Sequence, residues 1–162
     1  MPITVGDTLP ASTLLKMGEN GAEQVELGER LKGRKVVIFG LPGAFTGVCT
    51  TAHVPSFIRT KPVFDAMGVY DIICFSVNDP FFIMAWTVAT GAEAAGLTTL
   101  ADAESAFTTA IGMNFNAPPV GFVNRSRRYS LYAEDGVVKA INLEETPGTC
   151  EISAGETLLA QI

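Results

Sequence analysis

Two apolar runs separated by a segment of helical character constrain the fold of this chain more than any other feature. Val36 to Phe39, within KVVIFG, and Tyr70 to Val77, YDIICFSV, are typical of buried strands, and the second closes at the turn-like NDP. The segment between them, about residues 48–67, has helical character. Pro55 and Pro62 should bend or break that helix, because each proline removes a backbone N–H and crowds the preceding turn.

The alternation of helix and strand continues after the second run. Pro80 opens a predicted helix with FFIMAWTVATGA, LTTLAD is a short strand, and AESAFTTAIGM is a helix that ends near Gly112. The strand-like runs RYSLYAED and VVKAINLEE meet at Asp135-Gly136, which is a good hairpin signal.

The two ends of the chain complete the predicted fold. QVELGERLKGRK suits a short strand and a turn. The tail SAGETLLAQI suits a closing helix, with Ser153 and Glu156 at capping-box spacing. We therefore predict one domain, residues 1–162, with a thioredoxin-like α/β fold in which helices flank a mixed central sheet.

Composition and charge limit the partners that we expect. With 48% hydrophobic and 17% charged residues, the chain should fold, yet no apolar run approaches the ~20 residues that span a bilayer. The start, MPITVGDTLP, lacks the features of a secretory signal, so the sequence predicts a soluble, cytoplasmic protein with no membrane partner. The net charge of −6 argues against nucleic acid. In the one basic cluster, RSRRY, Arg125 and Arg127 are interpreted as surface charges.

The three cysteines, Cys49, Cys74 and Cys150, are far apart and form no CxxC pair. An odd number does not suggest a fully paired disulfide framework, so one reactive thiol or one transient pair fits better. Cys74 lies between Ile73 and Phe75 in an apolar strand and is predicted to be a buried structural residue.

Cys49 is the candidate reactive thiol. It follows a strand and the loop Pro42–Thr46, in the first turn of a helix predicted to begin near Gly47. Helix N-termini present free N–H groups and the positive end of the macrodipole, and both stabilise a thiolate. Its flanking residues are small and polar, which weakens the interpretation of Cys49 as a structural residue.

His53, the only histidine, raises two further interpretations of Cys49. The two residues are four apart and could share a metal, but a structural zinc site needs four ligands and the chain has no second pair. No metal is therefore predicted. A Cys–His catalytic pair would require the ring to reach the sulfur, which the sequence leaves undecided. We favour packing or hydrogen bonding as the role of His53.

Pro42, Thr46 and Cys49 form the pattern P-x-x-x-T-x-x-C. With the stretch PGAFTGVCTTAHVPSF around it, this spacing resembles the active-site signature of the peroxiredoxins, in particular the type II or peroxiredoxin-5-like subfamily of the AhpC/TSA–redoxin superfamily. ICFSVNDPF, Trp86 and RRYSLYAEDGVVKAINLEE match in the same order, so the resemblance covers nearly the whole chain. Gly47 departs from the proline that many members carry, but it is not a signature residue, and we expect activity to survive.

The resemblance implies a thiol-dependent peroxidase that reduces hydrogen peroxide and alkyl hydroperoxides without a cofactor. Cys49 would be the peroxidatic cysteine, whose thiolate becomes a sulfenic acid. Thr46 would hydrogen-bond the peroxide and the sulfur, and Pro42 would shield the site from water. Arg128 would stabilise the thiolate and orient the peroxide.

The resemblance leaves the regeneration step open. Cys150 aligns with the resolving cysteine of two-cysteine members, which would form a disulfide with Cys49 that thioredoxin reduces. Alternatively, Cys150 is a free loop cysteine and glutathione, with or without glutaredoxin, is the reductant. A homodimer is also implied, through loops that could include Phe45 and Phe81. A peroxide-sensing signalling protein on the same fold is the alternative function.

Overall fold

The computed structural model describes all residues, 1–162, and contains nine strands and five α-helices. The strands are β1 (Thr13–Gly18), β2 (Gly21–Glu26), β3 (Lys35–Leu41), β4 (Asp71–Ser76), β5 (Thr98–Ala101), β6 (Asn114–Ala117), β7 (Phe122–Ser126), β8 (Tyr129–Glu134) and β9 (Val137–Leu143). The helices are α1 (Leu27–Leu31), α2 (Val54–Ala66), α3 (Pro80–Ala89), α4 (Ala106–Ala110) and α5 (Gly155–Leu159). A π-helical turn, Cys49–His53, leads into α2. None of the helices has the length and apolar character that a membrane crossing requires.

Seven strands form one mixed sheet in the order β2-β1-β5-β4-β3-β8-β9. The neighbours β3, β4 and β5 are parallel, and the other pairs in this sheet are antiparallel. Strands β6 and β7 form a separate two-stranded ribbon. The predicted α/β architecture with a mixed central sheet and flanking helices is therefore confirmed.

Helices cover both faces of the sheet, which explains why its central strands are apolar throughout. Alternate residues of β3 point to opposite faces. Val37, Phe39 and Leu41 pack in the cluster that includes residues of α2, α3 and α5. Val36 and Ile38 pack in the cluster that includes residues of α1 and α4.

The β8–β9 hairpin turns at Asp135-Gly136, as predicted. Both residues have positive φ angles, 49° and 77°. A two-residue turn of this kind matches the right-handed twist of the strands that it joins, and Asp-Gly suits it because both residues tolerate the left-handed region.

Three local predictions need correction. Pro62 lies inside α2, which continues to Ala66, so the expected break at this proline is wrong. Pro55 lies just after the π-helical turn, and the helix continues through it as well, so a break at this proline is also wrong. The segment predicted as a turn after the first short strand forms α1, and the partner strand β1 and the β6–β7 ribbon were not predicted.

The capping box predicted for the closing helix is wrong, although the helix itself forms. The N-cap of α5 is Ala154, with no side-chain hydrogen bond. The hydroxyl of Ser153 donates instead to Oε1 of Glu144 at 2.8 Å, and Glu156 pairs with Arg59 at 2.8 Å. Long-range partners thus outcompete the local one.

Candidate active site

Cys49 lies in the first turn of a helix that begins at Gly47, as predicted. The backbone N–H groups of Gly47, Val48 and Cys49 donate to no protein carbonyl, so the positive end of this helix is unsatisfied around the thiol. The side chain of Cys49 is buried, and Nη2 of Arg128 donates to its Sγ at 3.2 Å. A permanent cation and free amides therefore surround this sulfur.

The pairing of β3 with β8 explains how Arg128 reaches a cysteine 79 residues away. Gly40 pairs with Tyr129, so Arg128 lies beside the loop that follows β3. Its guanidinium is buried, and Nε and Nη2 both donate to the carbonyl of Pro147, at 3.3 and 3.0 Å. Nη1 donates to Nδ1 of His53 at 3.1 Å. Since arginine carries five N–H donors, one N–H on Nη1 remains for a ligand.

Two hydrogen bonds hold the loop between β3 and the helix, one from outside the loop and one within it. Oδ1 of Asn78, in the NDP turn after β4, accepts from the backbone N–H of Ala44 at 3.0 Å. Within the loop, Oγ1 of Thr46 donates to the carbonyl of Gly43 at 2.6 Å. The hydroxyl proton of Thr46 is therefore engaged, and its oxygen is left to accept a hydrogen bond. The expected hydrogen bond between Thr46 and the sulfur is not present in this structure.

A cavity of about 370 Å³ opens above the thiol. Four parts of the chain line it: the loop and first helical turn, the β6–β7 ribbon with its connection, Arg128 between β7 and β8, and the segment after β9. The lining residues are Pro42, Thr46, Gly47, Val48, Cys49, Phe115, Ala117, Val120, Phe122, Arg128, Pro147 and Gly148. The three signature residues, Pro42, Thr46 and Cys49, thus meet Arg128, the arginine implied by the resemblance, at one cavity.

Arg125 is not the free surface charge that the sequence suggested. Its Nη1 donates to the carbonyl of Pro42 at 3.0 Å, and its guanidinium lies over the ring of Phe122, 5.0 Å from the centroid. It therefore joins the β6–β7 ribbon to the loop on the opposite side of the cavity. Arg127 is partly exposed and forms no ion pair. Nothing in the spacing of RSRRY indicates which arginine points toward the cavity.

His53 is fully buried and has a partner for each ring nitrogen. Because a guanidinium can only donate, Nδ1 must accept from Arg128, and Nε2 then donates to the carbonyl of Ser153 at 3.1 Å. Burial and the nearby charge of Arg128 lower the pKa of His53 to about 3, against the opposing effect of the Ser153 carbonyl. With both nitrogens engaged, the ring has no lone pair to serve as a base for Cys49. No group of three or more His, Cys, Asp or Glu side chains is arranged to hold a metal ion.

The lowered pKa of His53 predicts that stability falls as the pH drops below about 6.5. The unfolded chain binds a proton near pH 6.5, whereas the folded chain binds it only near pH 3, so acid favours unfolding across that window. We expect the free energy of unfolding to decrease by roughly 1 kcal/mol per pH unit from this residue alone. Urea unfolding at pH 7, 6 and 5 should show a steeper decrease for wild type than for His53→Asn. Parallel curves would contradict this prediction.

The other two cysteines differ from Cys49 in their surroundings. Cys74 is buried in β4, and burial, together with the nearby Cys49, raises the pKa of its thiol well above the usual range. Cys150 is half-buried, and burial also raises the pKa of its thiol. All three cysteines are free thiols in this structure.

A buried carboxylate organises the segment that carries Cys150. Oε1 of Glu144 accepts from the backbone N–H groups of Glu151 and Ser153, at 2.7 and 2.8 Å, and from the Ser153 hydroxyl. Burial raises the pKa of Glu144, but these hydrogen bonds, with one from Thr149, outweigh it and lower the pKa overall. The segment between β9 and α5 is thus folded around one anion.

Comparison with known proteins identifies the family. The sequence matches the family described as Redoxin over residues 4–159. It is 43% identical over 136 residues to "Peroxiredoxin-2F, mitochondrial" of Arabidopsis thaliana, which covers 84% of this chain and 67% of the relative. It is 42% identical over 162 residues to "Peroxiredoxin-2E-2, chloroplastic" of Oryza sativa subsp. japonica, covering 98% of this chain and 72% of the relative.

The chain belongs to the peroxiredoxins. The peroxiredoxin also resembles, with a TM-score of 0.91 and 38% identity over 98% of both chains, a crystal structure of "reduced Prx3 in complex with h2o2 from Vibrio vulnificus". The predicted type II resemblance and the thioredoxin-like fold are therefore confirmed. The family implies thiol-dependent reduction of peroxides.

The comparisons correct one prediction about this peroxiredoxin. A cytoplasmic location was expected from the residues at the start of the chain. Two of the relatives just named carry mitochondrial and chloroplastic names. The similarity points to proteins of organelles, so the cytoplasmic prediction is wrong.

Proposed function

We propose that this peroxiredoxin reduces hydrogen peroxide and alkyl hydroperoxides through a thiolate at Cys49 that becomes a sulfenic acid. The observation that carries the proposal is the 3.2 Å contact between the buried Arg128 guanidinium and Cys49 Sγ at an open cavity. The bound hydrogen peroxide named for the Vibrio vulnificus relative supports the choice of substrate. The apolar side chains of the β6–β7 ribbon support acceptance of alkyl groups.

The proposed chemical step is a displacement at the O–O bond. The Cys49 thiolate attacks the terminal oxygen of ROOH, the S–O bond forms and the O–O bond breaks. Sulfur is oxidised to the sulfenic acid, and the departing RO⁻ takes a proton from solvent to leave as an alcohol, or as water for hydrogen peroxide. The remaining N–H of Arg128 and the free amides of the first helical turn are donors for the developing negative charge.

Thr46 and Pro42 complete the proposed site. Because the Thr46 proton is engaged by the Gly43 carbonyl, the Thr46 oxygen can accept a hydrogen bond from the O–H of a bound peroxide and so orient it. Pro42 lines the cavity and offers no N–H to water, and Arg125 holds its carbonyl. We expect this wall to limit the access of water to the reacting oxygen.

Regeneration requires two thiols. We propose that either Cys150 or glutathione attacks the sulfenic acid and releases water, which leaves a disulfide to Cys49. Thioredoxin would reduce the internal disulfide, and a second glutathione or glutaredoxin would reduce the mixed one. Cys150 lies in the segment that Arg128 contacts through Pro147, which supports the internal route.

We also propose a homodimer of single-domain subunits, residues 1–162. Phe45 is half exposed with a positive φ angle of 57°, and its ring stacks on that of Phe82 at 5.1 Å. Phe81 beside it is 65% exposed. An exposed aromatic cluster next to the active-site loop supports association at this face.

The choice of reductant tests the proposed function. We expect repeated turnover of hydrogen peroxide with glutathione and glutaredoxin, with thioredoxin, or with both. Cys150→Ser should lose only the turnover that depends on thioredoxin, and Cys74→Ser should lose neither. Steady-state peroxide consumption measures all of these.

The same assay separates the enzyme from the peroxide sensor. A sensor would consume about one equivalent of peroxide and stop with every reductant. That result would overturn the peroxidase proposal. Loss of thioredoxin-dependent turnover in Cys74→Ser rather than Cys150→Ser would overturn the role proposed for Cys150.

A further inference from the structure

The buried Arg128 guanidinium has two protein anchors besides the sulfur. Along one edge, Nε and Nη2 both donate to the carbonyl of Pro147. At the other end, Nη1 donates to Nδ1 of His53. A planar group held by a single acceptor could still tilt about that acceptor, so the second anchor decides where Nη2 lies relative to Cys49 Sγ.

The second anchor is itself rigid. The His53 ring packs against the stacked pair Phe39 and Phe57, with centroid distances of 4.9 and 5.7 Å. Its far nitrogen, Nε2, donates to the carbonyl of Ser153. Ser153 belongs to the segment, folded around Glu144, that also carries Cys150. One ring therefore connects the guanidinium at the thiol to the segment between β9 and α5.

We infer that His53 is a positioning residue, whose neutral ring fixes the Arg128 guanidinium against Cys49 Sγ and ties it to the Cys150 segment. The inference rests on the proposed function, since it concerns the approach of peroxide to Cys49. His53 touches neither the sulfur nor the peroxide and transfers no proton.

The electrostatic surroundings support a permanently neutral ring. Burial and Arg128 hold the pKa of His53 near 3, so the ring stays unprotonated across the pH range in which thiol reductants work. A protonated ring would lose its acceptor and repel the guanidinium. The contact with Arg128 is therefore constant rather than a pH switch.

Two amide substitutions separate the two contacts of the ring. The amide oxygen of asparagine falls near the position of Nδ1, so His53→Asn keeps an acceptor for Arg128 and loses the donor to Ser153. The amide nitrogen of glutamine falls near the position of Nε2, so His53→Gln keeps the donor and loses the acceptor. The two variants are similarly polar and each removes one hydrogen bond, so urea unfolding should give them similar stabilities.

The reaction of each reduced variant with hydrogen peroxide can be followed in a single turnover by the fluorescence of Trp86, whose Nε1 donates to the hydroxyl of Thr50 next to Cys49. We expect His53→Asn to react within about threefold of wild type and His53→Gln to react about tenfold more slowly or worse, because a misplaced group costs rate steeply. At pH 7, alkylation of Cys49 by iodoacetamide should be slower in His53→Gln only. Equal rates for the two variants, or the reverse order, would overturn the inference.

A measurement on wild type covers the case in which a variant does not fold. The chain has a single histidine, so one set of imidazole nitrogen signals is expected by NMR. At pH 7 and at pH 5, Nε2 should be protonated and Nδ1 unprotonated. A protonated Nδ1 would exclude donation from Arg128 and overturn the inference. If wild type does not react with peroxide at all, the proposed function fails. The tautomer measurement still tests the contact between Arg128 and His53 in that case.

Discussion

Replacing Arg128 with methionine should slow the reaction of Cys49 with hydrogen peroxide by about a hundredfold or more. The guanidinium is the only charged group that donates to the sulfur, and it does so at 3.2 Å in a buried site. Removing it takes away both the cation that stabilises the thiolate and a donor for the departing oxygen. Stopped-flow fluorescence of the reduced protein measures the rate constant directly.

Two further variants make this prediction specific. Arg127→Met removes the same charge one residue away, from a side chain without an ion pair, and should react like wild type. Arg128→Lys keeps the charge but cannot reach the sulfur, Pro147 and His53 together, so its rate should lie between the two. Equal rates for Arg128→Met and Arg127→Met would remove Arg128 from the proposed mechanism.

The second large effect is expected at the sulfur itself. Cys49→Ser should reduce peroxide consumption to the level of the reductant alone, because the pKa of the Cys74 thiol and that of the Cys150 thiol are both raised by burial. Cys74→Ser is the matched control, since it also removes one buried sulfur, and it should retain turnover. Consumption by Cys49→Ser at the wild-type rate would disprove the assignment of the reacting cysteine.

Much of the fold could be predicted because its signals are local. The apolar runs that became β3 and β4, and the Asp135-Gly136 turn of the β8–β9 hairpin, depend on residues that are adjacent in the chain. The capping box predicted at Ser153 and Glu156 was wrong because the prediction considered only residues that are close in the chain. Its spacing was right, but partners from elsewhere in the chain, Glu144 and Arg59, engaged both side chains.

The candidate site likewise combines residues that could be predicted from the sequence with contacts that could not. The resemblance named Pro42, Thr46, Cys49 and Arg128, and the structure brings all four to one cavity. The spacing did not indicate that Asn78 holds the loop at Ala44, or that Arg125 holds Pro42 from the opposite wall. These contacts join segments 34 and 83 residues apart, and only the folded sheet brings them together.

His53 is the residue whose interpretation changed most. Its spacing from Cys49 suggested a metal site or a catalytic pair, and the structure supports neither. Its partners are Arg128 and Ser153, 75 and 100 residues away. A buried, hydrogen-bonded ring was the interpretation favoured from the sequence, but its contact with the arginine beside the thiol could not be foreseen from spacing.

Trapping the oxidised sulfur tests the central claim most directly. Reduced Cys150→Ser protein, in which the proposed internal disulfide cannot form, should be treated with one equivalent of hydrogen peroxide and then with dimedone, which reacts with sulfenic acids. Peptide mass spectrometry should locate one adduct, on the peptide that contains Cys49, with Cys74 still a free thiol. An adduct on Cys74, or no adduct although the peroxide is consumed, would contradict the account.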